Sequence, residues 1–344
     1  MKKIIVRLVF AIVLICSLQI MLSSCANRSI RIAFFKYQGG DTFINEMMEY
    51  MITRVPEGVE FEVRDAGNSQ SVQNQQIVEL IESGFDLFVV NAVDRLASST
   101  IVARCAADGI PVIFFNREPL EDALIGNENM FYVGADADGL GRRQAEMAAE
   151  LFTDDFAGSR FDRNGDGIIQ VAILKGEQGH QDAERRTDNC VARLRELGFT
   201  VEVLAIEVAD WDRRNSFEAM RRLYERHGNE IELLFANNDD MALGAIDYLL
   251  YRGIFTEDIS AYDQPFIIVS VDGTAVGLEA IERGLLFGTV NNDSVKQSEA
   301  ILALIEHILG DLGFEYFPFE ITRGHYIHID GDIITSANLS DFLP

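Results

Sequence analysis

Short runs of β-branched and aromatic residues alternate with amphipathic stretches along most of this chain. Four such runs lie in its first half: IRIAFF, VEFEVRDA, FDLFVVNA and IPVIFFN. Five more follow in the second half: IIQVAILKG, TVEVLAI, IELLFANN, FIIVSVD and LFGTVNND. Parallel strands need long, usually helical, crossover connections, so this alternation predicts parallel sheets covered by helices. The sequence therefore predicts an α/β protein.

The two series of strands predict two α/β units. With 344 residues and 48% hydrophobic content, the chain is long enough for two domains and apolar enough for a large core. The segment FYVGADADG, residues 131–139, separates the two series and is predicted to hold the boundary.

The N-terminal segment MKKIIVRLVFAIVLICSLQIMLSSC has the layout of a secretory signal, with a basic start, a long apolar run and small residues before a cysteine. Its last four residues, Leu22 to Cys25, resemble the bacterial lipobox, in which the signal is cut before a cysteine that becomes lipid-modified. This predicts a lipoprotein signal over residues 1–24 and a protein of the periplasm or cell envelope, anchored to a membrane by lipid at Cys25. A plain signal or an N-terminal membrane anchor is the alternative.

The chain is strongly acidic. Removal of residues 1–24 takes away Lys2, Lys3 and Arg7 and no acidic residue, which moves the formal charge from -26 to -29. Such a surface repels the phosphates of nucleic acid, so a nucleic-acid partner is not expected. Cys105 and Cys190 remain after Cys25; export permits a disulfide, but two buried free thiols are predicted.

Polar or charged side chains follow many of the predicted strands. In sheets of this kind, ligands bind outside the carboxyl ends of the strands. A single Asn or Asp at such a place more often caps the next helix, but the recurrence favours a polar binding site. The series comprises Lys36, Tyr37, Asn91, Asp94, Asn116, Arg117, Asn237 to Asp239, Asp272 and Asn291 to Asp293.

In order and spacing, the chain resembles the periplasmic D-galactose/D-glucose-binding proteins of bacterial ABC transport, which have the type I periplasmic binding protein fold. The most specific stretches are IPVIFFNREP, FYVGADADG, DRNGDGIIQ, KGEQGHQDAERRT, ADWD, IELLFANNDDMALGAI and GTVNND. The resemblance implies two Rossmann-like lobes with parallel sheets, joined by a hinge. The first lobe would comprise residues 25–134 and 294–326, and the second residues 135–293 and 327–344.

In that family the sugar lies between the lobes, sandwiched by aromatic rings and surrounded by planar polar side chains. The resemblance implies ten sugar-binding residues: Asp41, Phe43, Asn116, His180, Asp182, Arg186, Trp211, Asn238, Asp272 and Asn292. Taken alone, several have ordinary structural explanations, such as core packing for Trp211 and Phe43. The segment QGGD, residues 38–41, is two residues longer than the usual approach to the first aspartate, and Gln181 replaces a common proline.

The stretch DRNGDGIIQ, residues 162–170, begins like a calcium-binding loop, but Ile173 stands at the twelfth position, where a bidentate glutamate is expected. In the resembled family a glutamate on a distant strand supplies that carboxylate. The resemblance implies a structural calcium site with one main-chain ligand, at Ile168, and five side-chain ligands: Asp162, Asn164, Asp166, Gln170 and Glu232.

The sequence thus predicts a binding protein without catalysis, which captures a monosaccharide, D-glucose or D-galactose, and delivers it to the membrane permease of an ABC transporter. A chemotaxis receptor is a further partner within the family, and these residues do not decide that role. Ribose, xylose or another polyol is the alternative ligand. A glycosidase would need two carboxylates beside a scissile bond, and Asp41, Asp182 and Asp272 are the candidates. The chain has no GxSxG, P-loop or HExxH motif.

Overall fold

The computed structural model describes residues 29–152, 160–257, 259–310 and 312–343. The predicted signal segment and Cys25 lie outside these ranges. In the described part of the chain, no helix combines the length and the apolar character needed to cross a membrane.

The first lobe is built on a sheet of six parallel strands, of which the strand runs of the sequence predict the first four. They are β1 (Ile30–Lys36), β2 (Val59–Asp65), β3 (Leu87–Val90), β4 (Val112–Phe115), β5 (Met130–Ala135) and β11 (Tyr326–Ile329). The order across the sheet is β11-β5-β4-β3-β1-β2. Five helices belong to this lobe: α1 (Thr42–Ile52), α2 (Gln70–Glu82), α3 (Ser98–Ala107), α4 (Glu121–Leu124) and α10 (Ser294–Leu309).

The second lobe has the same plan. Its strands are β6 (Ile169–Lys175), β7 (Val201–Val208), β8 (Leu233–Ala236), β9 (Ile267–Asp272), β10 (Gly288–Asn291) and β12 (Ile333–Thr335), in the order β12-β10-β9-β8-β6-β7. All of them pair in parallel except β12, which is antiparallel to β10. Its helices are α5 (Ala137–Ala149), α6 (Gln181–Glu196), α7 (Arg213–His227), α8 (Asp239–Tyr251) and α9 (Ala275–Glu282). Short 3-10 turns lie at Arg95–Ala97, Ala261–Asp263, Phe314–Tyr316 and Leu339–Asp341.

Each sheet is covered by helices on both faces. The central strands β3, β4, β8 and β9 are buried at every position, whereas the edge strand β2 contains only half-buried and exposed residues. Separate apolar clusters fill the two faces of each sheet. This explains the nearly continuous apolar runs of the central strands, since strands covered on both sides have no solvent-facing positions. Cys105 and Cys190 lie in these cores as free thiols, as predicted.

The chain passes between the lobes three times, after Ala135, after Asn291 and after Ile329. The predicted boundary at 326/327 falls inside β11, whose four residues all pair with β5. The boundary at 134/135 likewise separates the last residue of β5 from its strand. The strand pairing therefore moves both boundaries to the ends of these strands.

Candidate functional site

A pocket lies between the lobes at the carboxyl ends of both sheets. The space between its lining residues, open solvent included, is about 340 Å³. Its lining includes all ten residues predicted for the sugar site and two that were not assigned to it. These twelve are Tyr37, Asp41, Phe43, Asn116, Arg117, His180, Asp182, Arg186, Trp211, Asn238, Asp272 and Asn292.

Several of these side chains are held by the starts of helices that follow strands. Asp41 is the N-cap of α1 and accepts from the Ile44 amide at 2.9 Å. The Tyr37 hydroxyl donates to its other carboxylate oxygen at 2.7 Å. Asn238 is the N-cap of α8 and accepts from the Met241 amide at 2.9 Å. A capping role therefore does not exclude a ligand role, because a cap uses only one of the acceptor sites of the side chain.

The two aromatic rings come from opposite lobes. Phe43 lies in the first turn of α1 and is buried, and Trp211 is half-buried beside the second core. Trp211 has the left-handed backbone angle φ 64°. A Cβ at Gly176 would lie only 2.3 Å from Trp211 Cζ2, so the absence of a side chain there makes room for the indole. Two rings that face one pocket from either side suit the C–H faces of a pyranose.

Asp182 and Arg186 form a buried ion pair one turn apart on α6. Arg186 Nη2 donates to Asp182 Oδ2 at 2.8 Å, and Arg186 Nη1 donates to the Asn237 carbonyl at 2.9 Å. Asp182 Oδ1 and Arg186 Nε are buried and have no hydrogen-bond partner among the described residues. Leaving such atoms unsatisfied is costly, so the pair offers one acceptor and one donor to a bound molecule.

Asp272 lies opposite this pair at the end of β9. Asn292 Nδ2 donates to Asp272 Oδ1 at 3.1 Å, and that oxygen is 3.8 Å from Arg186 Nη1. Gln297 Nε2 in turn donates to Asn292 Oδ1 at 2.7 Å, which fixes the orientation of the amide. Burial raises the pKa of Asp272 well above its usual range, and the Arg186 guanidinium opposes this effect.

His180 is the N-cap of α6, and its Nδ1 accepts from the Asp182 amide at 3.1 Å. Its ring contacts the Trp211 indole edge to face, with centroids 5.0 Å apart. Burial lowers the pKa of His180 well below its usual range, and the nearby guanidinium groups of Arg117 and Arg186 lower it further. The imidazole is therefore neutral, and with Nδ1 as acceptor it carries its proton on Nε2, which can donate to a ligand.

Tyr37 and Arg117 are the lining residues that the sequence analysis did not assign to the site, although both belong to its series of strand-end polar residues. The Arg117 guanidinium lies 4.1 Å from the centroid of the Tyr37 ring, a cation–π contact. Arg117 Nη1 donates to the Val93 carbonyl at 2.6 Å, and Nη2 donates to Glu177 Oε2 at 2.7 Å. Because Glu177 belongs to the second lobe, Arg117 connects the two lobes beside the pocket.

The residues of the predicted calcium loop also lie together. Glu232 is buried next to the loop, where its Oε1 accepts from the Arg163 amide at 2.6 Å and its Oε2 accepts from the Gln170 amide at 3.1 Å. Burial raises the pKa of Glu232 to about 7, and the carboxylates of Asp162 and Asp166 add to this effect. Gln170 Oε1 is buried without a hydrogen-bond partner among the described residues.

The donor set of this loop is all oxygen, which suits calcium. Asp162, Asp166 and Glu232 accept hydrogen bonds from backbone amides of the loop and of β6. Among the described residues, no three or more His, Cys, Asp or Glu side chains are arranged closely enough to hold a metal ion. The residue types of the loop and the position of Glu232 beside it therefore fit calcium. To bind the ion, the carboxylates would have to rotate away from the backbone amides that now donate to them.

Comparison with known proteins agrees with the fold. The periplasmic binding protein domain family matches residues 32–311. The D-galactose/methyl-galactoside binding periplasmic protein MglB of Haemophilus influenzae is 33% identical over 329 residues, which are 93% of this chain and 93% of that protein. The ribose import binding protein RbsB of Bacillus subtilis is 27% identical over 242 residues, 68% of this chain and 66% of that protein.

Among solved structures, an ABC transporter solute binding protein from Bacillus halodurans with bound myo-inositol superposes with a TM-score of 0.73. It is 25% identical, and the match covers 91% of this chain and 97% of that one. The two-sheet fold and the sequence match define a solute-binding protein of the transport type. The chain belongs to the periplasmic binding protein family.

Proposed function

We propose that this protein captures D-glucose or D-galactose between its lobes and delivers it to the membrane permease of an ABC transporter. The observation that carries this proposal is the interlobe pocket, in which two aromatic rings face a ring of planar polar side chains with buried atoms still free to bond. Each hydroxyl of a sugar needs an in-plane donor or acceptor, and its C–H faces need apolar contact. The 33% identity to a galactose-binding relative over 93% of the chain supports a hexose as the ligand.

The roles of the polar residues follow from their free atoms. Arg186 Nε would donate to the ring oxygen, and Asp182 Oδ1 would accept from the anomeric hydroxyl. Asp41 would accept from the 4-hydroxyl in either configuration, since each of its oxygens makes one protein hydrogen bond and retains acceptor capacity. Hydrogen bonds to these charged groups are stronger than neutral ones. Closure of the lobes would bury the sugar and present a joint surface of both lobes to the permease.

Isothermal titration of the protein starting after Cys25 should show one-to-one binding of D-glucose or D-galactose, with a change in the fluorescence of Trp211, the single tryptophan. Ribose and xylose serve as controls and should bind more weakly. The recovered hexose should be chemically unchanged, because the proposal includes no catalysis. Tighter binding of ribose or xylose would mean that the ligand is a pentose and not a hexose. Turnover of a glycoside would favour a glycosidase.

The calcium loop has a structural role in this proposal. Asp162, Asn164, Asp166 and Gln170 would bind calcium through side-chain oxygens, Ile168 through its carbonyl, and Glu232 through its carboxylate. When bound, the ion would connect the loop to the strands beside it, because Gln170 lies in β6 and Glu232 immediately precedes β8. Glu232 is already paired with Gln170 through main-chain hydrogen bonding, which keeps the carboxylate at the loop.

Calcium at about 100 times its dissociation constant should stabilise the protein by roughly 2.7 kcal/mol, which corresponds to a rise in melting temperature of about 4 °C for a chain of this length. Replacing Glu232 by glutamine should remove most of this rise. Glu230→Gln is the matched control, because Glu230 is exposed on the neighbouring turn. An equal calcium response in E232Q and the unchanged protein would rule out Glu232 as a ligand.

Lipid at Cys25 would hold the protein at a membrane, and two or more acyl chains are needed for stable anchoring. Expression of the full chain with Cys25→Ser should move the protein from the membrane fraction to the soluble fraction. Unchanged membrane attachment of C25S would favour an N-terminal membrane anchor instead. A chemotaxis receptor remains a second proposed partner, to be tested by its binding to the sugar-loaded protein.

A further inference from the structure

A second pocket adjoins the first in the cleft between the lobes. The space between its lining residues, open solvent included, is about 380 Å³, against about 340 Å³ for the main pocket counted in the same way. One side is formed by residues 94–96, which follow β3 of the first lobe, and the other by residues 177–179, which follow β6 of the second lobe. Arg117 and His180 line both pockets, so the two spaces meet at these side chains.

The charges around the second pocket are balanced. Arg95 and Arg117 contribute two positive charges, Asp94 and Glu177 contribute two negative charges, and His180 is neutral. Arg117 is already paired with Glu177 at 2.7 Å. A phosphate or carboxylate would find no net attraction there, and its loss of hydration would be poorly compensated. The charge balance favours an uncharged occupant.

The lining nevertheless offers both apolar contact and hydrogen-bond donors. The Leu96 side chain is 59% exposed beside this pocket. Arg117, which lines both pockets, has a buried Nε without a hydrogen-bond partner among the described residues. His180 adds the Nε2 donor at the same boundary. A group with C–H faces and hydroxyls matches this combination.

We infer that the second pocket accepts an uncharged polyhydroxyl unit linked to the hexose, so that the protein also takes disaccharide-sized glycosides. This inference rests on the proposed hexose site, because the second unit would extend from the bound hexose past Arg117 and His180. The sugar ring in the main pocket would keep the contacts of every hydroxyl that is not used for the linkage, and the attached unit would pack on Leu96 and accept from Arg117 Nε.

The test compares free hexoses with disaccharides by isothermal titration, with lactose, melibiose and maltose as the probes. At least one disaccharide should bind one to one. Leu96→Trp should fill the second pocket and weaken that disaccharide on the order of 10-fold or more, with less than about 2-fold change for the free hexose. The matched control is Ile125→Trp, since Ile125 is also 59% exposed on the first lobe and lines neither pocket.

Failure of all three disaccharides to bind a protein that binds a free hexose would overturn the inference and leave the proposed function intact. An equal loss of hexose and disaccharide binding in L96W would overturn it as well, because the effect would not be confined to the attached unit. Disaccharide binding without any free hexose binding would support the second pocket and contradict the hexose proposal. Absence of binding by every sugar would contradict both.

Discussion

Replacement of Arg186 by methionine should weaken hexose binding by about 100-fold or more. The Arg186 side chain is buried and donates to Asp182 Oδ2 and to the Asn237 carbonyl, and it lies 3.8 Å from Asp272. Its removal takes away a ligand donor and leaves two buried carboxylates without their cation. Truncation of one member of a buried, hydrogen-bonded charge pair costs about 2 to 5 kcal/mol, and each 1.4 kcal/mol is about tenfold in affinity.

The measurement is the dissociation constant of the preferred hexose by isothermal titration, with a thermal melt to show that R186M is folded. Arg142→Met is the matched control, because Arg142 makes a comparable pair with Glu196 on the protein surface. It should leave the affinity unchanged. Asp182→Asn provides a second test if R186M does not fold. This substitution keeps the shape of the side chain but removes its charge and replaces one acceptor oxygen by an amide group. An affinity within about 3-fold in both R186M and D182N would contradict the site.

The strand-end residues show how far sequence can locate a site in this fold. Asp272 ends a strand, and Asn116, Asn238 and Asn292 each follow one. Parallel strands place their carboxyl ends at one edge of the sheet. The same rule does not find Phe43, which lies inside a helix that packs on the core. Its assignment, like that of Trp211, depended on the resemblance to known proteins. The structure shows how the Trp211 ring is placed at the pocket: its backbone is left-handed, and Gly176 leaves space for the indole.

The ion pair between Arg117 and Glu177, which connects the lobes, could not be predicted from the sequence for a different reason. Arg117 and Glu177 are 60 residues apart and lie in separate sheets, so no local spacing brings them together. The strand β11 is a similar case, because it is not among the strand runs predicted from the sequence and the predicted boundary at 326/327 divides it. Its pairing with β5 is decided by the return of the chain through α10 to the first lobe.

Asp239 is another residue whose importance only the structure shows. Asp239→Ala should lower the free energy of unfolding by about 3 kcal/mol or more, because each buried polar group left without a partner costs about 1 to 3 kcal/mol. In the sequence ANNDD, only Asn238 was assigned to the site. Asp239 is fully buried, and its carboxylate accepts from four donors: the Ser270 hydroxyl at 2.5 Å, the Thr289 hydroxyl at 2.7 Å, the Thr274 amide at 2.8 Å and the Thr274 hydroxyl at 2.9 Å. It therefore joins the start of α8 to β9, β10 and the N-cap of α9.

Loss of this carboxylate would leave a buried amide and three hydroxyls without their acceptor, next to Asn238 and Asp272 of the pocket. Thermal denaturation should show a fall in melting temperature of at least about 4 °C. The matched control is Asp247→Ala on the same helix, which removes a surface ion pair with Arg213 and should cost about 0 to 1 kcal/mol. Equal melting temperatures for the two variants would mean that the four hydrogen bonds do not stabilise this end of the sheet, and that the pocket is held by packing alone.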